Sequence, residues 1–167
     1  MTVGNAIKEI RGKESQLHLS MELNVSRETV SAYETGRVDQ IPLDISQKLM
    51  QKYDSPWLAM AVGHEYSAGS AVKKLDGKNV DLHRSSVKAK TEEELQEALE
   101  ALKAISVVNK PDHHDKEQIK VALMQVIDAI YAAKHLVAVL AKEYGFSWLK
   151  LWQLHLQKLV TKGYVRG

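Results

Sequence analysis

Arg27 and Glu28 stand side by side in the run SRETVSAYETGR, with Ser31 and Ala32 one helical turn further on. These residue types can read the edge of a base pair. An arginine donates two hydrogen bonds to guanine O6 and N7, a glutamate accepts from cytosine N4, and an alanine can touch the thymine methyl. Gln16, Ser26, Thr35 and Arg37 surround them in the sequence. Such groups bind phosphate oxygens, which fixes a docking angle and carries no base information. The chemistry these residues could share is recognition of double-stranded DNA.

Two short helices with a tight turn must position them. Leu19, Leu23, Val25, Val30 and Tyr33 fall where two steeply crossing helices would bury them. Asn24 tolerates the left-handed conformation such a turn needs. Ser26 is placed to cap the second helix, predicted from Arg27 to about Tyr33. Ser20 is small, which lets the helices approach. Two further helices are expected, over residues 43–53 and 55–62, with Ile45, Leu49, Trp57, Leu58 and Met60 in the core.

Residues 3–62 resemble the Cro/C1-type, or XRE, helix-turn-helix family of phage repressors and bacterial regulators. The resemblance rests on Gln16, Leu19, Val25-Ser26-Arg27, Thr29-Val30-Ser31 and Tyr33-Glu34-Thr35-Gly36-Arg37, and extends through Ile41-Pro42. It implies a five-helix DNA-binding domain over residues 1–64, whose second motif helix enters the major groove. Two departures stand out. Arg11 and Gln16 are closer together than is usual in the family, which questions a phosphate contact from the first helix. Ser20 and Asn24 replace the commoner alanine and glycine.

The chain has 167 residues, no cysteine and three prolines, and apolar residues recur at three- and four-residue spacing. An all-α protein follows from that period. Disulfides and thiolate metal sites are excluded. No continuous apolar run reaches the ~18 residues of a membrane span, and MTVGNAIKEIRG lacks a signal-peptide pattern; a cytoplasmic protein without membrane contact is expected. Residues 1–64 carry seven Lys/Arg against eight Asp/Glu. A DNA-binding assignment therefore rests on the motif, since a basic footprint is lacking.

Residues 65–90 hold Gly69, Gly77 and several serines, show little periodicity, and read as a basic linker. Thr91 with Glu94 has the form of a capping box, so a helix is expected from Thr91 to about Val108. Lys110-Pro111-Asp112 breaks it. A long helix over about 115–144 and a last one from Ser147 to before Gly163 complete a helical domain over residues 91–167. The long helix is apolar on more than one side, so a second copy is the natural cover and a homodimer or higher homo-oligomer through residues 91–167 the expected state. A regulatory protein or nucleotide is a further expected partner of this half.

Glu93, Glu94 and Glu97 form E-E-x-x-E, and Gln125 and Asp128 follow on the long helix. With Gly145-Phe146 and the run KLVTKGY, this order resembles the MazG-like all-α nucleoside triphosphate pyrophosphohydrolases. The resemblance implies a Mg²⁺ site on two helices, at Glu93, Glu94, Glu97 and Asp128. Carboxylates suit that ion. Gln125 stands where that family has a glutamate, leaving the site one carboxylate short, so a vestigial site is the expectation. No cofactor is expected. The cluster Asp112-His113-His114-Asp115 reads as a solvated loop. The reading as a whole is a transcriptional regulator, a repressor of phage or bacterial type. The alternative is a nucleotide-binding or hydrolysing helical domain tethered to DNA.

Overall fold

A computed structural model describes residues 1–107 and 109–166, which form eight α-helices and no strand. They are α1 (Val3–Arg11), α2 (Gln16–Leu23), α3 (Arg27–Thr35), α4 (Leu43–Tyr53), α5 (Pro56–Tyr66), α6 (Arg84–Ala104), α7 (His113–Tyr144) and α8 (Trp148–Thr161). The all-α expectation is met. The chain divides into two compact units, one of residues 1–76 with 141–167 and one of residues 77–140.

In the first unit, local chemistry fixes where helices begin and end. Thr2, Ser15, Ser26 and Ser55 each accept a hydrogen bond from a backbone amide three residues on. Each cap satisfies an amide that the first helical turn leaves unpaired. α1 to α5 enclose a core of large side chains, with Ile7, Leu19, Val30, Leu49 and Leu58 fully buried. Gly4 lets α1 approach α3 closely: a Cβ there would lie 2.2 Å from the Tyr33 carbonyl oxygen.

The segment expected as a tether is partly docked. Val72 is buried. The Lys74 ammonium lies 4.9 Å from the centre of the Trp57 ring and 3.6 Å from Glu9. The N-terminal ammonium pairs with Asp76 at 2.5 Å. An apolar side chain and a cation above an indole favour packing over solvation.

In the second unit the helix expected from Thr91 starts instead at Arg84, with His83 as N-cap. Thr91 is buried inside it, and its hydroxyl donates to the Val87 carbonyl at 2.7 Å and to Ala132 of α7 at 3.1 Å. A buried hydroxyl needs partners, and a facing helix supplies one here. α6 ends at Ala104; the expected end at Val108 lies outside the described residues. Asp112 and Asp115 exchange side-chain-to-amide hydrogen bonds at 2.8 and 3.0 Å where α7 begins. That corrects the solvated-loop reading of the Asp-His-His-Asp cluster: His113 and His114 belong to the first turn of α7.

α7 has no continuous apolar run as long as a membrane span, yet it is apolar on average. Its 32 residues contain an 18-residue window of mean hydropathy 1.5, so by length and composition it could cross a membrane. Only 22 % of that window is buried. Single charges interrupt every continuous apolar run in it.

Candidate nucleic-acid interface

α2 and α3 form the expected pair of helices. Asn24 ends α2 at φ 57° and ψ 48°, squarely in the left-handed region, and Gly36 ends α3 at φ 67°. Ser26 accepts from the Thr29 amide at 3.0 Å. One side of α3 is anchored by buried Val30 and Tyr33. The other side carries Arg27 and Glu28, both exposed, and Ser31 and Ala32, both half-exposed. The four residues expected to read bases thus share the outward side of one helix.

The residues expected to bind phosphate are placed more variously. Ser26 and Thr35 are exposed. Arg37 folds back over α3: its Nε donates to the Thr35 hydroxyl at 3.0 Å and its Nη2 to the Ser31 hydroxyl at 3.1 Å. Its charge therefore lies beside a residue expected to read a base. Gln16 is half-buried and donates to Glu34 at 2.8 Å, so part of its amide serves the fold.

Glu34 is the residue whose role the sequence reading did not draw out. It is buried and accepts from Arg11 Nε at 2.5 Å and Nη2 at 3.2 Å. Burial raises its carboxyl, but the hydrogen bonds from Arg11 and Gln16 outweigh that and hold it below its ordinary pKa. Arg11 also donates to the Glu14 carbonyl. Its guanidinium turns inward, with the side chain 14 % exposed. A charged pair inside E-T-G, twenty-three residues from its partner, is not visible from local spacing.

A second ionic group sits where α2 meets α4. Lys52 donates to Glu14 at 2.8 Å and also to Glu22, Tyr53 donates to Glu14, and His18 lies 2.7 Å from Glu14. Glu14, His18 and Glu22 lie close enough to hold a cation, but the Lys52 ammonium already binds both carboxylates. With Arg11, Lys52 and their partners Glu14, Glu22 and Glu34 set aside, residues 1–64 hold five bases and five acids. The acidic excess is spent within the fold.

The expected metal ligands of the helical half are not drawn together. Glu93 and Glu94 each pair with Lys90, at 3.0 and 2.9 Å. Glu97 and Asp128 are exposed. Among the described residues, no group of three ligands within 4.8 Å includes them. Gln125 is half-buried, and its Oε1 is buried with no hydrogen-bond partner among the described residues. His135 is buried and lies 2.8 Å from the Tyr131 carbonyl one turn back.

Comparison with protein-family models, with curated proteins and with solved structures finds no match for this chain.

Proposed function

We propose that this protein is a sequence-specific DNA-binding regulator of transcription, a repressor of the phage or bacterial type, that reads its site with α3 and acts as a dimer. One observation carries the reading. α3 is held from behind by Val30 and Tyr33, is set by a left-handed Asn24 turn against α2, and presents Arg27, Glu28, Ser31 and Ala32 outward. A rigid helix with base-reading side chains on its open side is the element that a major groove accepts. The capping amides of α3 and the nearby Arg37 would then meet phosphates.

Nucleotide hydrolysis by the helical half has weaker support. Lys90 engages two of its four expected carboxylates, and Gln125 leaves the second helix one short.

Selection of the purified protein on a pool of random duplexes tests the reading. The expected outcome is enrichment of one motif, two-fold symmetric if two copies read adjacent half-sites. Binding that is uniform across sequences and vanishes with salt would sink it, because phosphate contact alone behaves that way.

A further inference from the structure

α8 divides into two sides. Successive residues turn about 100° around a helix. Trp148, Leu149, Trp152, Leu156, Leu159 and Val160 therefore fall within an arc of about 120°. Lys150, His155, Lys158 and the glutamines occupy the remainder, with Leu151 and Leu154 among them, and Lys162 follows at the C-cap.

The apolar arc is held at one end only. Ser147 caps the first turn, the Leu149 amide donates to Asp54 at 2.8 Å, and Trp148 is buried. Trp152 meets Trp148 edge-on, with ring centres 5.3 Å apart, yet it is 45 % exposed. Leu156 and Val160, one and two turns further, are 50 % and 36 % exposed. A helix of 14 residues is marginal in water unless packing covers its apolar face.

Charge and side-chain type together narrow what covers it. From Trp148 onward the chain holds Lys150, Lys158, Lys162 and Arg166 and no acidic residue. None of these four pairs with a carboxylate among the described residues. A nucleic acid would meet the cations and leave Trp152, Leu156 and Val160 in water. A second copy would cover the arc but bring two basic helices together with no acid on either. An anionic bilayer surface offers both contacts, with phosphates at its headgroups and hydrocarbon just beneath them. Trp152 and the exposed Tyr164 have the apolar body and polar tip that favour this boundary.

We propose that α8 lies in the surface of an anionic phospholipid bilayer, with Trp152, Leu156 and Val160 in the boundary layer and the lysines among the headgroups. The contact is peripheral. Fourteen residues rise about 21 Å, short of the ~30 Å hydrocarbon core. This departs from the expectation of no membrane contact, and it stands whether or not α3 reads DNA.

The full chain is sedimented with vesicles of phosphatidylcholine alone and of phosphatidylcholine mixed with phosphatidylglycerol. It should bind the mixed vesicles and not the neutral ones, with a blue shift of tryptophan emission. Trp57 and Trp148 are already buried, so the shift belongs to Trp152, and Trp152→Phe should remove it while binding persists. Leu156→Glu should abolish binding at unchanged helicity. Lys150→Gln, Lys158→Gln and Lys162→Gln together should weaken binding on the order of a hundredfold. These lysines are exposed, so the triple variant keeps the test open even if Leu156→Glu fails to fold. A chain that does not sediment with the mixed vesicles overturns the proposal. So does equal binding to both vesicle types, or binding without the blue shift, which would mean that charge alone is read. A dimer that Leu156→Glu dissociates, with no lipid binding, also overturns it and makes the arc a contact between copies.

Discussion

The five N-terminal helices and the α6–α7 pair bury their residues in opposite ways. The first region closes around large side chains, with Ile7, Leu19, Val30, Leu49 and Leu58 fully out of solvent. In the second, Val87, Thr91, Ala98, Ala122, Ala129 and Val139 are buried, while Leu95, Leu99, Leu102, Leu123, Ile127 and Ile130 are 43–53 % exposed. Burial of large apolar groups is what stabilises a small domain. A region of short helices can enclose them on all sides, whereas two helices alone have no interior. The difference separates a region with an interior of its own from a pair of helices that leaves large apolar side chains half-exposed.

The ionic groups divide the same way. Arg11–Glu34 is sheltered, with side chains 14 % and 3 % exposed, whereas Lys90 and Glu93 are each 55 % exposed. Breaking a buried pair strands a charge and costs about 3–5 kcal/mol. Glu34→Ala should therefore lower urea stability of the N-terminal region by roughly that amount. Glu93→Ala should leave the unfolding midpoint unchanged. Equal effects from the two substitutions would erase the contrast.

Size changes should act in opposite directions. Leu58→Ala opens a cavity and should cost about 2–5 kcal/mol. At buried Ala98 on α6, enlargement is the damaging change: Ala98→Leu should cost about 1–3 kcal/mol by overpacking. Thermal unfolding followed by circular dichroism measures both. A harmless Ala98→Leu would mean that space is left around Ala98.

Acid should weaken the first region selectively. Burial raises the Glu14 carboxyl, but hydrogen bonds from Lys52, Tyr53 and His18 outweigh it and bring the pKa down to about 2. An unfolded glutamate titrates near ~4.3. A carboxylate depressed by the fold contributes stability above its unfolded pKa and loses it as pH falls through the folded one. The loss should fall between about pH 4 and about pH 2. Glu14→Gln should flatten that step in an acid titration of the unfolding midpoint; an unchanged step would place its origin elsewhere.

Much of the first region was legible because its signals are local. Asn24, Ser26 and Gly36 are where a turn, a cap and a helix end need them, and the expected helix over residues 43–53 matches α4. The side of α3 followed from spacing alone. Glu34 and Arg11 did not, since their meeting is a property of how α1 packs on α3. The start of α6 was misplaced for a related reason. Thr91 has a cap residue's chemistry, and only the presence of Ala132 on α7 tells that its hydroxyl faces a neighbouring helix. The exposed leucines of α6 read as an amphipathic pattern, but what covers them is not written in their spacing.

The outward side of α3 sharpens the comparison at the level of function. Arg27→Ala should cost about 1–3 kcal/mol on the selected duplex and spare binding to a scrambled one. Arg37→Ala should weaken both if its guanidinium serves phosphate. Because Arg37 is bonded to Ser31, a loss confined to the selected duplex would instead assign it to the reading surface. Competition titrations at fixed salt separate the two outcomes.

The smallest expected effect concerns the helical half as an enzyme. With Mg²⁺ and any common nucleoside triphosphate, the protein should release no pyrophosphate above the rate without protein. A site of this kind needs carboxylates that hold metal ions against phosphate charge and orient a water. Glu93 and Glu94 are turned to Lys90, Asp128 lies exposed on α7, and Gln125 supplies no charge. Gln125→Glu restores the missing carboxylate but not the convergence of the others, so it too should stay inactive. Turnover by the Gln125→Glu chain alone would show that one charge is all the site lacks. Mg²⁺-dependent turnover by the unaltered chain, abolished by Glu94→Gln, would make the α6–α7 pair a catalytic region despite the pairing of Glu93 and Glu94 with Lys90.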